Sequence, residues 1–143
     1  IANQAGTVEK TTGYDGTGFS ATIISRKNSF GSISNGNLTT GIVHMGSTTA
    51  DDPANYNYSK TDDANGHCKF AGYPDSVKIW TKFVPAGAQT DQASMNIILH
   101  TDAGYKDPSG IMGDEAEKAS RIAKAYLPIN ASADWTAQTL AFD

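Results

Sequence analysis

A single cysteine, Cys68, stands in the 143-residue sequence, so no disulfide can form within the chain. His67 beside it suggests a Cys–His pair. Neighbours on an extended chain point to opposite faces, however, so His67 is badly placed to activate the thiol. Two such ligands are also too few for a zinc site. Charge is scarce: 18% of residues are Asp, Glu, Lys or Arg, the net charge is −4, and the basic residues form no cluster. Nucleic-acid binding needs a stripe of Lys and Arg that displaces counterions from phosphates, so that class of partner is set aside. Apolar runs are short, and none approaches the ~20 residues that carry a helix across a bilayer. The chain opens on Ile1 rather than Met, which points to a mature or excised piece whose targeting segment is not legible.

What remains is polar and uncharged, with long stretches of Ser, Thr, Asn and Gly. Adding the 14 glycines to the 38% hydrophobic content brings the total near that of ordinary globular chains, so disorder is not implied. Threonine favours strands, and Asn and Gly favour turns, which suits short strands joined by loops. The length fits one domain, residues 1–143, large enough to bury a core. No internal repeat or low-complexity linker interrupts it.

Period-two alternation marks Phe19–Ser25 as a strand after the turn-rich stretch Gly13–Gly18, and marks a second over Leu38–His44. The clearest runs from Val77 to Val84, with Val77, Ile79, Thr81 and Phe83 on one face and Lys78, Trp80 and Lys82 on the other. Met95, Ile97 and Leu99 mark the inward face of the next strand, opposite Asn96, Ile98 and His100. A last run spans Trp135–Phe142. Residues 46–70 read as an extended polar loop. Residues 113–126 carry acids early, bases late and Ala and Ile at helical spacing. Propensity makes them a helix; the alternative is a loop through Lys118 followed by a strand over Ser120–Leu127.

Four stretches together resemble the carbohydrate metabolism domain family of surface and secreted proteins from gut glycan-degrading bacteria. They are 35–41 (Asn-Gly-Asn-Leu-Thr-Thr-Gly), 72–83 (Gly-Tyr-Pro-Asp-Ser-Val-Lys-Ile-Trp-Thr-Lys-Phe), 100–108 (His-Thr-Asp-Ala-Gly-Tyr-Lys-Asp-Pro) and Ala133-Asp134-Trp135-Thr136 leading to Leu140-Ala141-Phe142. The resemblance implies an all-β, antiparallel β-sandwich of the jelly-roll, galactose-binding-like type, with long loops. It favours the strand over Ser120–Leu127, leaving a short helix near 114–119 as a decoration. It also implies a secreted or cell-surface location, on a bacterial outer surface or in the periplasm. The family pattern continues beyond the position of Asp143, so the domain is expected to be truncated there, its sheet completed by a companion β-domain or a second chain.

The function expected is non-catalytic binding of a polysaccharide or oligosaccharide. Sugar rings offer apolar faces to flat aromatic side chains, and their hydroxyls to directional polar groups. Trp80 between Lys78 and Lys82 supplies both. If the next strand pairs with Val77–Val84 through the Pro85–Ala93 loop, Asn96 and His100 join the same face, and Tyr105 extends it from the side. The expected carbohydrate-binding set is therefore Trp80, Lys82, Asn96, His100 and Tyr105. The bland alternative packs Trp80 beneath the lysine stems.

A rival reading is a glycoside hydrolase acting through paired carboxylates, with candidates Asp102, Asp107, Asp114, Glu115 and Glu117. All lie in stretches rich in Gly, Pro or charge, where nothing predicts the burial that raises a general acid's pKa. No catalytic residue is assigned. A third reading is a structural or assembly domain of a surface complex. No cofactor is expected beyond a structural Ca²⁺ that Asp51, Asp52, Asp62 and Asp63 would ligate, and these lack EF-hand spacing.

Overall fold

The computed structural model describes residues 8–27, 29, 31, 33–49, 52–86, 92–108 and 114–143, without the side chains of 114, 115 and 117. They form two compact units, Ile1–Thr39 and Thr40–Asp143.

In the first unit, β1 (Val8–Thr12) pairs antiparallel with β2 (Phe19–Ile23), Thr12 opposite Phe19. The connecting turn places Gly16 and Gly18 at φ of 78° and 59°, where a Cβ is disfavoured. Asp15 holds it: one carboxylate oxygen accepts from the Thr17 amide at 2.9 Å and hydroxyl at 2.8 Å. Those bonds, the amide first, hold the Asp15 carboxyl below its ordinary pKa. Across the ladder, the Thr11 hydroxyl meets those of Ser20 at 2.8 Å and Thr22 at 3.0 Å. The short β3 (Arg26–Lys27) pairs with β4 (Ile33–Ser34). No described residue of this unit is buried, so ladder and turn hydrogen bonds carry it.

In the second unit, β5 (Ile42–Met45), β6 (Asn55–Tyr58) and β9 (Lys106–Asp107) form a three-stranded antiparallel sheet with β6 central. β6 falls inside the stretch read above as loop. Tyr56 and Tyr58 alternate with Asn55 and Asn57, and tyrosine's preference for pleated surface outweighs the turn-forming asparagines. The following residues fold back tightly: the Lys60 amide donates to the Gly66 carbonyl at 2.8 Å, and that of Gly66 to Asp63 at 2.9 Å.

The longest strands are β7 (Ser76–Phe83), β8 (Ala93–His100), β10 (Arg121–Ile129) and β11 (Ser132–Ala141). β7 alternates in burial along its whole length, with Val77, Ile79, Thr81 and Phe83 inward. Its partner is β11, Trp80 opposite Ala137 and Lys78 opposite Thr139. β8 pairs instead with β10, Ile97 opposite Ala125 and Met95 opposite Leu127. The expected β7–β8 pairing is therefore replaced by two nested pairs, the inner one β8–β10 and the outer one β7–β11. The backbones of Asp143 and Lys124 bond to each other in both directions, and the Phe142 amide reaches the Asp75 carbonyl, so the end of β11 touches both pairs.

Residues 114–126 divide as the two competing signals ask. α1 (Asp114–Ser120) takes the acid-rich half, and β10 begins at Arg121. A bulge between Arg121 and Ala123 then sets Ala125 and Leu127 inward, each 3% exposed. At the join, Ser120 is 1% exposed; its hydroxyl donates to the Gly104 carbonyl, and its own carbonyl accepts from Thr101 at 2.9 Å. The buried core of this unit gathers around Ser120, Ala125, Leu127 and Tyr105. The architecture is all-β and antiparallel with one short helix.

Candidate functional site

The outer face of the β7–β11 pair carries both tryptophans of the chain. Strand alternation turns Lys78, Trp80 and Lys82 away from the inward Val77, Ile79 and Thr81. Trp80 is 37% exposed, and its cross-strand neighbour is only Ala137, so no bulky side chain opposite crowds the indole. Trp135 lies two residues before Ala137, diagonal to Trp80, at the bulge where the register shifts between Ser132 and Thr136. The Lys82 ammonium stands 5.1 Å from the centre of the Trp135 ring, which places both on this same face. Lys78 stands 5.5 Å from the Trp80 ring. At exposed sites such cation–π contacts contribute only about 0.5–1 kcal/mol, so each ammonium can leave its ring at small cost. The result is an aromatic pair with a cation over each ring, Ala137 and Thr139 standing opposite Trp80 and Lys78 and Ser76 lying beyond Lys78.

The other expected binding residues lie elsewhere. Asn96 and His100 belong to β8, which pairs with β10, so they do not share a strand pair with Trp80. The Asn96 amide donates to the Asp107 carboxylate at 3.4 Å, and His100 Nδ1 donates to the Thr101 carbonyl at 2.7 Å. Tyr105 is 6% exposed; its amide donates to the Ser59 hydroxyl at 2.8 Å and its ring stacks on His100. That is a packing anchor rather than a sugar-facing surface. Trp80 and Lys82 thus keep company with Lys78 and Trp135. Trp135 was not among the expected residues because β11, not β8, is the partner of β7, and alternation within one strand does not say which strand lies beside it.

A second aromatic group crosses the three-stranded sheet. His44 stacks on Tyr56 at 4.6 Å, Tyr58 lies 5.9 Å from Tyr56, and the Lys106 ammonium stands 4.6 Å from the Tyr56 ring centre. His44 comes from β5 and Lys106 from β9, on either side of β6, so Tyr56 is flanked from both directions. This row is already satisfied by its own members.

No family model, curated protein or solved structure matches this chain.

Of the carboxylates considered for hydrolysis, Asp107 accepts from Asn96, and the carbonyl of Asp102 accepts from Thr61. The side chains of Asp114, Glu115 and Glu117 lie outside the described residues. Among the calcium candidates, Asp51 also lies outside them. Asp52 accepts from the Ala54 amide at 2.9 Å, chiefly through which its carboxyl is held below the ordinary pKa, and Asp62 and Asp63 sit 4.0 and 3.8 Å from the Lys60 ammonium. Among the described residues no cluster of three or more His, Cys, Asp or Glu could hold a metal ion. Cys68 is exposed, while His67 Nδ1 donates to the Asp63 carbonyl at 2.7 Å and is committed to the loop beneath it. No helix among the described residues is long and apolar enough to cross a membrane.

Proposed function

We propose that this chain is a non-catalytic carbohydrate-binding module of a secreted or cell-surface glycan-utilisation protein, akin to the carbohydrate metabolism domain family it resembles. One observation carries the reading: an indole pair on a strand face, Trp80 opposite a mere alanine, with an ammonium over each ring. Flat aromatic surface with flanking donors is what a pyranose ring requires, apolar on its face and hydroxylated at its rim. The nested antiparallel pairs support a jelly-roll arrangement, in which successive pairs alternate between two sheets.

Replacing Trp80 by Ala tests the proposal. A ring that is 37% exposed contributes part of a buried aromatic's packing, so the loss of stability should stay below the ~3–5 kcal/mol of a fully buried one. Glycan binding, measured on an array and then by calorimetry, should fall at least about tenfold, or 1.4 kcal/mol. Unchanged affinity in the folded variant would remove Trp80 from the site.

A second reading, an assembly domain, draws support from Ile122 and Tyr126 on the outer face of β10, both more than half exposed. Inertness to glycans together with stable self-association would favour it.

A further inference from the structure

Lys78 and Lys82 flank Trp80 along β7, which contains no Asp or Glu, and Lys82 also stands over Trp135; the one acid of β11, the exposed Asp134, lies in its bulged part beside Trp135. The face is thus cationic on its β7 side in a chain whose net charge is −4. Its polar groups are two ammoniums, which only donate hydrogen bonds, and the hydroxyls of Ser76 and Thr139. Neutral sugars present hydroxyls that both donate and accept; the two ammoniums meet only their accepting side, and among the groups just named acceptance falls to the Ser76 and Thr139 hydroxyls. A carboxylate only accepts, and so matches the lysines fully.

The spacing adds a second constraint. Four residues of strand set the two lysine Cα atoms about 13 Å apart, with Trp80 between them and Trp135 beside Lys82. That span exceeds one sugar ring, so the cations meet groups on different sugars while a ring between them lies on Trp80. Lysine is a mobile point charge rather than a rigid fork, which suits carboxylates arriving at varied angles along a polymer.

We infer that the ligand of this face is a polysaccharide carrying carboxylates on its repeating sugars, a polyuronate; this rests on the carbohydrate-binding reading above. In the free protein each ammonium rests over an indole, at 5.5 Å for Lys78 and 5.1 Å for Lys82. On binding, each swings to a carboxylate and the apolar face of a sugar takes its place on the ring. Ammonium and ligand therefore exchange places on the same aromatic surface.

The test uses the whole chain and calorimetry against polygalacturonate, alginate and unsulfated hyaluronan. Neutral comparators are methyl-esterified polygalacturonate and a xylan without uronate. Binding to at least one polyuronate should weaken as salt rises, since exposed charges are screened over about 10 Å at 0.1 M. Esterification, or the double change Lys78→Gln and Lys82→Gln, should each cost roughly tenfold or more, within the range expected for two lost charge-assisted contacts. The double variant should unfold at the temperature of the parent. Equal affinity for charged and esterified polymer, or a preference that survives loss of both lysines, overturns the inference and leaves the carbohydrate reading standing. So does binding to sulfated but not carboxylated polymers. Failure of the folded chain to bind any glycan, charged or neutral, overturns the carbohydrate reading itself.

Discussion

Ser120 ends α1 at the point where the chain turns into β10, and a Ser120→Ala change probes how that join is held. The hydroxyl is buried, and it donates to the carbonyl of Gly104 in the loop after β8. Alanine fits the same space, so no clash arises and the lost volume is one oxygen. What changes is Gly104, itself buried, whose carbonyl loses this donor in a place that water does not reach from outside. An unsatisfied buried acceptor costs about 1–3 kcal/mol, more than the net worth of the bond when both partners are present. For a unit of about 100 residues, each kilocalorie lowers the melting temperature by roughly 4–8 °C. A fall of about 5–20 °C is therefore expected, with a matching shift of the urea midpoint at constant m-value. The Ser120 carbonyl still accepts from Thr101, so the loop should loosen without detaching, and the Gly104 amide should exchange faster than that of Leu127. A stability change under about 0.5 kcal/mol, with unaltered exchange at Gly104, would refute the argument that this hydroxyl satisfies a buried carbonyl.

Two further outcomes follow from burial and from the acidic turns. Leu127→Ala should cost about 2–4 kcal/mol by urea unfolding, whereas Tyr126→Ala on the opposite face of the same strand should cost under ~1 kcal/mol; equal losses would show that the face assignment of β10 is inverted. The Asp15 and Asp52 carboxyls have folded pKa values lowered by backbone amides, so the stability they add is present above the ordinary value of about 3.9 and is lost as pH falls through the lowered folded value. Carboxyl carbon shifts followed by NMR should show both titrating below the ordinary aspartate value. Asp15→Asn should remove the acid sensitivity of the Gly13–Gly18 turn, and a turn equally acid-labile in that variant would contradict the assignment.

Alternation made β7 legible in sequence because every second residue from Val77 to Phe83 is apolar or threonine, and each of them faces inward. The same rule found the inward Met95, Ile97 and Leu99 of β8. What it could not supply was partnership. Proximity in sequence favoured β7 with β8, but β8 is matched by Ala123, Ala125 and Leu127 of β10, whose small and apolar residues fit Leu99, Ile97 and Met95 opposite them. Asn96 and His100 left the proposed site for that reason. β6 was hidden because Asn55 and Asn57 read as turn formers, although both stand in the ladder. The region 113–126 was ambiguous for a real cause, since a helix and a strand share 114–126 end to end. Trp80 and Lys82 kept their common face, and the pairing of β7 with β11 brought Trp135 to Lys82.

The nesting of the β8–β10 pair inside the β7–β11 pair bears on the order in which the chain assembles. Bringing β7 to β11 from an unfolded chain closes a loop that contains both inner strands, and the entropy of such closure grows with the logarithm of loop length. Once β8 and β10 have zipped, the outer strands are joined only through residues 84–92 and through Asn130-Ala131, and most of that entropy is already spent. Assembly from the inside outward thus turns one distant encounter into two short ones. The tryptophan face is then the last part of this pairing to form, laid onto a core that Ala125 and Leu127 have already closed.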